Sequence, residues 1–147
     1  MLNLYGPFLG AGVKVDHISA DWREIRVSLR LRWYNRNIFR THFGGSLYSM
    51  ADPHLALMLM HLLGDDYIVW DKSAEIDFLK PGTGTVSATV QISDSELEMI
   101  REQTNLHRKF LPEFTISILN EDGKRVAQIK KTLYVRKKVV HRAEVLP

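Results

Sequence analysis

The chain has 147 residues, 45% of them hydrophobic, enough for one globular domain with a sizeable core. It contains no cysteine, which excludes disulfides and thiolate chemistry and suits a reducing, cytoplasmic setting. The net charge is +3, yet eight Lys or Arg (124, 125, 130, 131, 136, 137, 138 and 142) fall between residues 124 and 142 with no acid among them.

The start, MLNLYGPFLGAGVKV, lacks a basic opening and a long apolar run, so no signal peptide is expected. A short strand is predicted around Val13 to Ser19. Glu24 to Trp33 alternates cleanly, with Ile25, Val27, Leu29, Leu31 and Trp33 on one face. Next comes HFGGSLYSMADPHLALMLMHLLG, His42 to Gly64, a glycine turn running into a strongly apolar helix. Its longest apolar run, Leu55 to Leu63, is too short to span a bilayer.

Lys72 to Leu79 is predicted as a strand with Ala74, Ile76 and Phe78 inward, ending at KPGTG. Thr85 to Ile92 repeats the pattern. Ser95 to Leu106 reads as an amphipathic helix capped by Asp94 or Ser95. Phe114, Ile116 and Ile118 lead into NEDG, a hairpin turn, and the return strand covers Val126 to Arg136. This order predicts an α+β fold, an antiparallel sheet with a long helix against one face. No repeat or linker interrupts it, so one domain is expected over 1–147, with a core at about 13–136 and flanks at 1–12 and 137–147.

The long helix is apolar nearly all round, which predicts burial on all sides. A sheet of this size achieves that by curling around the helix, helped by a second subunit. Oligomerisation is therefore expected. Asp52-Pro53 leaves two helix starts open. Asp is a favoured cap and Pro a favoured first residue, so the helix can begin there. The spacing of Leu47, Met50, Ala51, Leu55 and Met58 favours an earlier start, capped by Ser46 or Gly45, with a kink between Ser49 and Pro53.

Asp52 sits among Met50, Ala51, Pro53 and Leu55. A carboxylate in that company needs partners, or burial disfavours its charged form and suits it to general base work. Gly44 and Gly45 allow close approach to backbone amides, which can hold a developing negative charge. A base and an amide pocket are the minimal equipment for hydrolysing an acyl compound.

Asn37 to Asp52, NIFRTHFGGSLYSMAD, resembles the active-site signature of the hotdog-fold acyl-CoA thioesterases. It is most similar to the phenylacetate-pathway type, where Asn, His-Gly-Gly and a helix Asp occur in that order. EIDFLKPGTGTVSATVQI resembles the strand pair that follows the helix in that fold, and the likeness covers roughly residues 13–136. The whole chain also resembles a small group of bacterial hotdog proteins described as tetrameric acyl-CoA thioesterases. The resemblance implies a curled sheet around a central helix and makes Asp52 the general base or nucleophile. It implies that the Gly44 amide, with Gly45 beside it, polarises the thioester carbonyl. Asn37 and His42 would position substrate or water, and the site would lie at a dimer interface, shared between subunits. Phe43, inserted between His42 and Gly44, and Pro53 depart from the pattern.

Other constellations carry less. His54 and His61 lie about 10 Å apart along a helix, too far to share a metal, and no zinc motif accompanies them. No metal or separate cofactor is expected, coenzyme A entering as part of the substrate. A G-x-S-x-G elbow is missing. Ser46 is a candidate substrate contact, and Ser46 and Ser49 equally suit backbone capping. The basic stretch suits coenzyme A phosphates or a lysine-protected strand edge. Nucleic acid is not an expected partner, because only Tyr134 among these charges offers a stacking platform. Lys131 falls in the apolar phase of its strand, which a bulge or a phosphate contact would explain. The function expected is acyl-CoA hydrolysis, with a non-catalytic acyl-binding protein as the alternative and a dehydratase third.

Overall fold

The computed structural model describes residues 2–138. Six strands form one antiparallel sheet: β1 (Val13–Ile18), β2 (Glu24–Arg30), β3 (Tyr67–Phe78), β4 (Thr85–Gln91), β5 (Glu113–Asn120) and β6 (Arg125–Lys137), in the order β1-β2-β4-β5-β6-β3. Four α-helices accompany it: α1 (Gly6–Ala11), α2 (Gly44–Ser49), α3 (His54–Leu63) and α4 (Asp94–Leu106). The curled sheet wraps the α2–α3 segment, and this is the hotdog fold. Its core is drawn from the inward phases of the strands (Ile25, Val27, Leu29; Val86, Ala88, Val90; Phe114, Ile116, Ile118; Ala127, Ile129, Leu133, Val135) and from Leu47, Met50, Leu55, Met58 and Leu59. No helix of the described residues is long and apolar enough to cross a membrane. Arg142 of the basic stretch, and residues 139–147 of the expected C-terminal flank, lie outside the described residues.

Several expectations need correction. Residues 2–11, expected only to flank the core, contribute a short 3-10 helix (Leu2–Leu4), α1 and the buried Phe8. Strand β2 ends at Arg30 rather than Trp33, whose ring is 81% exposed. Buried Asn35 turns the chain there, accepting from the Arg32 amide at 2.7 Å and donating to the Arg30 carbonyl at 3.0 Å. It also donates to the Ala11 carbonyl, which ties this turn to α1. Gly12 closes α1 with φ +81°, and a Cβ there would collide with the Asn35 amide. Gly12→Ala is therefore expected to cost about 1–2 kcal/mol or more, measured by denaturant unfolding.

The cap of α4 is Ser93, not Asp94 or Ser95. Its hydroxyl accepts from the Glu96 amide, while the Glu96 carboxylate accepts from the Ser93 amide. The apolar helix is two helices. It starts early, at Gly44, with Phe43 rather than Ser46 or Gly45 in the cap position. It then breaks over Met50–Pro53, with Asp52-Pro53 cis, and restarts at His54. The spacing marks the first start, and the second falls one residue later than expected, with Pro53 rather than Asp52 in the cap position and His54 as the first helical residue.

Burial on all sides is not achieved among the described residues of one chain. Met60 is 54% exposed, and Leu57 and Leu62 are half-buried. Strand β3 is longer than expected and forms one edge of the sheet. Ala74, Ile76 and Phe78 do lie opposite the inward residues Lys131, Ile129 and Ala127, so their phase is as expected. They are not buried: Ala74 and Phe78 are exposed and Ile76 half-buried, because none of the described residues covers the inner face at this edge.

Candidate active site

Asn37, Thr41, His42, Gly44 and Leu47 line a cleft of about 440 Å³ with Phe78, Leu79, Lys80, Pro81 and Gly82. The loop leading into it is organised by Asn37. Its amide donates to the Thr41 hydroxyl at 2.9 Å and the His42 carbonyl at 3.3 Å, and its carbonyl oxygen accepts from the Phe39 and Thr41 amides. Asn37 thus directs its polar atoms into the loop itself.

His42 is buried. Its Nε2 lies 3.1 Å from the Gly84 carbonyl, which can only accept, so Nε2 carries the proton. Nδ1 is then left as an acceptor with no partner among the described residues. Burial pushes the imidazole below its usual value, partly opposed by the bond to Gly84. The Phe43 insertion leaves His42 anchored to Gly82 through its backbone amide.

Gly44 and Gly45 are the first two residues of α2, so their amides stand outside the helical ladder. A Cβ on Gly44 would lie 2.8 Å from the Phe78 ring, at the wall of the cleft. Gly45 and Ser46 face a neighbouring cleft with Phe43, Asn35 and Ser49. The Ser49 hydroxyl donates to the Gly45 carbonyl at 2.8 Å, a backbone-satisfying role, and Ser46 is buried.

Asp52 is not among the residues lining the Gly44 cleft. It has found a partner instead: its Oδ1 accepts from the Lys131 ammonium at 2.8 Å. Lys131 also contacts Asp71 Oδ2 at 3.0 Å. The lysine side chain is wholly buried, while those of Asp52 and Asp71 are 42% and 31% exposed. Lys131 therefore sits in the apolar phase without a bulge of its own, in step with Ala127, Ile129, Leu133 and Val135, and it is not free to hold a phosphate.

The bulge is in β3. From Phe78 back to Ser73 the strand pairs in one register with β6; beyond Lys72 it shifts by one, placing Asp71 opposite Leu133. Without the shift, Asp71 would lie opposite Tyr134, on the outer face where Trp70 and Tyr134 now stack. The bulge turns Asp71 toward Lys131. Burial raises the Asp71 carboxyl, and the neighbouring Asp52 charge adds to this, while Lys131 acts against it. Burial acts against the Lys131 ammonium, but its two carboxylate partners outweigh it and hold it above its usual value.

Tyr48 places its ring 5.9 Å from Lys131 Nζ. His54 lies fully buried beneath, packed on Phe8 and with neither ring nitrogen partnered among the described residues. Burial, and secondarily Lys131, push its imidazole down to about 4. His54 and His61 belong to no metal-binding group, and none is present among the described residues.

Asp71 and Tyr48 were not singled out by sequence. The signal was available for the pair: Asp52 and Lys131 each place a charge in an otherwise apolar series, and two such residues answer each other.

The same fold occurs in several solved structures. A Pseudomonas aeruginosa protein of unknown function, described as a probable thioesterase, is 15% identical over 87% of this chain and 85% of its own, with a TM-score of 0.75. A thioesterase from Haemophilus influenzae is 16% identical over 96% and 90% of the two chains, with a TM-score of 0.67. A mutant of the phenylacetic acid degradation protein PaaI from Thermus thermophilus is 25% identical over 86% and 96%, with a TM-score of 0.58. No curated protein sequence matches the chain. Its family is nevertheless defined: a model covering residues 1–135 matches, and the chain belongs to the family described as Domain of unknown function (DUF4442).

Proposed function

We propose that the protein is an acyl-CoA thioesterase whose site is completed between two subunits. The observation that carries this reading is the pairing of an amide-lined apolar cleft at Gly44 with a half-exposed, lysine-held carboxylate at Asp52 on the same broken helix. The fold shared with thioesterases supports it. The acyl group occupies the apolar cleft, and the Gly44 amide, with Gly45 beside it, stabilises the oxyanion. Asp52 takes a proton from water as the water oxygen bonds to the carbonyl carbon. Collapse of the adduct breaks the C–S bond, and the thiolate recovers a proton. The products are a carboxylate and coenzyme A.

Two features support the second subunit. Strand β3 presents a twelve-residue edge with Trp70, Phe78 and nearby Leu79 exposed, and Ile38, Phe39 and Phe43 are exposed on the adjoining loop. Pairing two such edges would bring the cleft of one chain toward the carboxylate of the other. The exposed basic residues Lys124, Arg125, Lys130, Lys137 and Lys138 suit the phosphates of coenzyme A. His42 lines the cleft with its Nδ1 buried, Asn37 shapes the loop, and Ser46 is a proposed substrate contact at the start of α2.

Thiol release measured across short, long and aromatic acyl-CoAs tests the reading, with Asp52→Asn as control. Turnover that Asp52→Asn abolishes is expected; equal rates in both proteins would contradict it. The separation of Asp52 from the Gly44 cleft within one chain favours a second reading, a non-catalytic acyl-binding protein. Saturable acyl-CoA binding without turnover would select it.

A further inference from the structure

We propose that Lys131 and Asp71 belong to the same site as Asp52: the buried ammonium is a positioning residue for the Asp52 carboxylate, and Asp71 is a second carboxylate sharing it. The proposal deepens the thioesterase reading and rests on it for its effect on rate.

Three departures from regular structure converge on this point. The helix breaks at Met50–Pro53 and presents Asp52. The strand β3 bulge turns Asp71 inward. A lysine occupies a core position of β6 where its neighbours in phase are Ile129 and Leu133. A lone ion pair would need only two of these. With all three, one buried ammonium faces two carboxyl groups.

The exposures assign the roles. The ammonium is the buried end and the two carboxylates are the half-exposed ends, so Lys131 meets no substrate and acts only through the groups it holds. It engages Oδ1 of Asp52 and thereby fixes the plane in which that carboxylate faces a water or a thioester. The other groups around it are Tyr48 from α2 and His54 from α3. The Tyr48 phenol is raised by burial, and His54 is held neutral through the physiological range, so neither adds a competing charge. Replacing the lysine would bring two carboxylates together without a cation, and one of them would retain a proton to a higher pH.

The test is a carbon-detected NMR titration of the Asp71 carboxyl, run beside thiol-release kinetics, in wild type, Lys131→Met and Asp52→Asn. The Asp71 midpoint is expected to rise in Lys131→Met and to fall in Asp52→Asn, where Lys131 serves Asp71 alone. In Lys131→Met, kcat is expected to fall on the order of 100-fold with KM little changed, the cost of a misplaced reacting group. Movement of the Asp71 midpoint in a protein that hydrolyses no thioester would sustain the three-residue unit and remove the thioesterase reading alone. An Asp71 midpoint unmoved by either substitution, in an active enzyme, would overturn the proposal. Should Lys131→Met fail to fold, Asp52→Asn decides by the same criterion.

Discussion

Asp52→Asn is expected to slow thiol release from acyl-CoA by about 10²–10⁴-fold, the loss that follows removal of a positioned proton acceptor. An asparagine amide keeps the shape of the carboxylate but accepts no proton. The fold should tolerate the change. Breaking a buried ion pair commonly costs about 3–5 kcal/mol because a charge is stranded. Here Lys131 retains Asp71 at 3.0 Å, and the altered side chain is 42% exposed. The variant should therefore unfold within about 1–2 kcal/mol of wild type. A large rate loss with near-native stability separates a role in chemistry from a role in folding. Equal losses of both would make Asp52 a structural residue.

The second large effect concerns acid. His54 is fully buried with its folded pKa pushed down to about 4 from the ordinary imidazole value near 6.5. A depressed value means that the unfolded chain binds the proton first as pH falls. The contribution of His54 to stability is full above about pH 6.5 and is lost progressively down to about pH 4, for a total of about 3 kcal/mol. Asp71, whose value is raised, works in the opposite sense: its contribution is present at low pH and lost as pH rises through its folded value. A comparison of wild type with His54→Leu isolates the histidine. Urea unfolding at pH 7 and pH 5 should show a marked loss of stability at pH 5 in wild type and a smaller one in the variant. His54→Leu also removes two ring nitrogens unpartnered among the described residues, so it should be at least as stable as wild type at pH 7. Identical pH slopes in the two proteins would contradict the assignment.

The alternating strands were readable because each is half-buried by one rule, period-two polarity, and most bounds fall within a few residues of those expected. What local patterns missed depends on distant partners. The polar side chain of Asn35 helps end β2 at Arg30, before the apolar alternation stops, and the capping box reaches back to Ser93, just before the segment considered. Ala74, Ile76 and Phe78 have the expected phase but lie at the sheet edge, and strand order cannot be read from alternation. The charge cluster is the sharpest case. Asp52 and Lys131 were each conspicuous as a charge in an apolar series, yet they stand 79 residues apart. Asp71 looked ordinary, because only the bulge at residue 72 gives it an inward position. The broken helix is intermediate. Its apolar spacing and its proline each predicted a start, and the chain has both, the second one residue late.

In the proposed site, Asp52 of one subunit works with the Gly44 amide of another. Mixing two defective chains tests it most directly. Asp52→Asn lacks the carboxylate. Gly44→Val fills the cleft, where even a Cβ would lie 2.8 Å from the Phe78 ring. Each variant alone should be nearly inactive. Co-expressed in equal amounts, they should recover about a quarter of the wild-type rate, because half the dimers are mixed and each mixed dimer carries one intact site. A mixture no more active than its separate components would contradict a site shared between subunits.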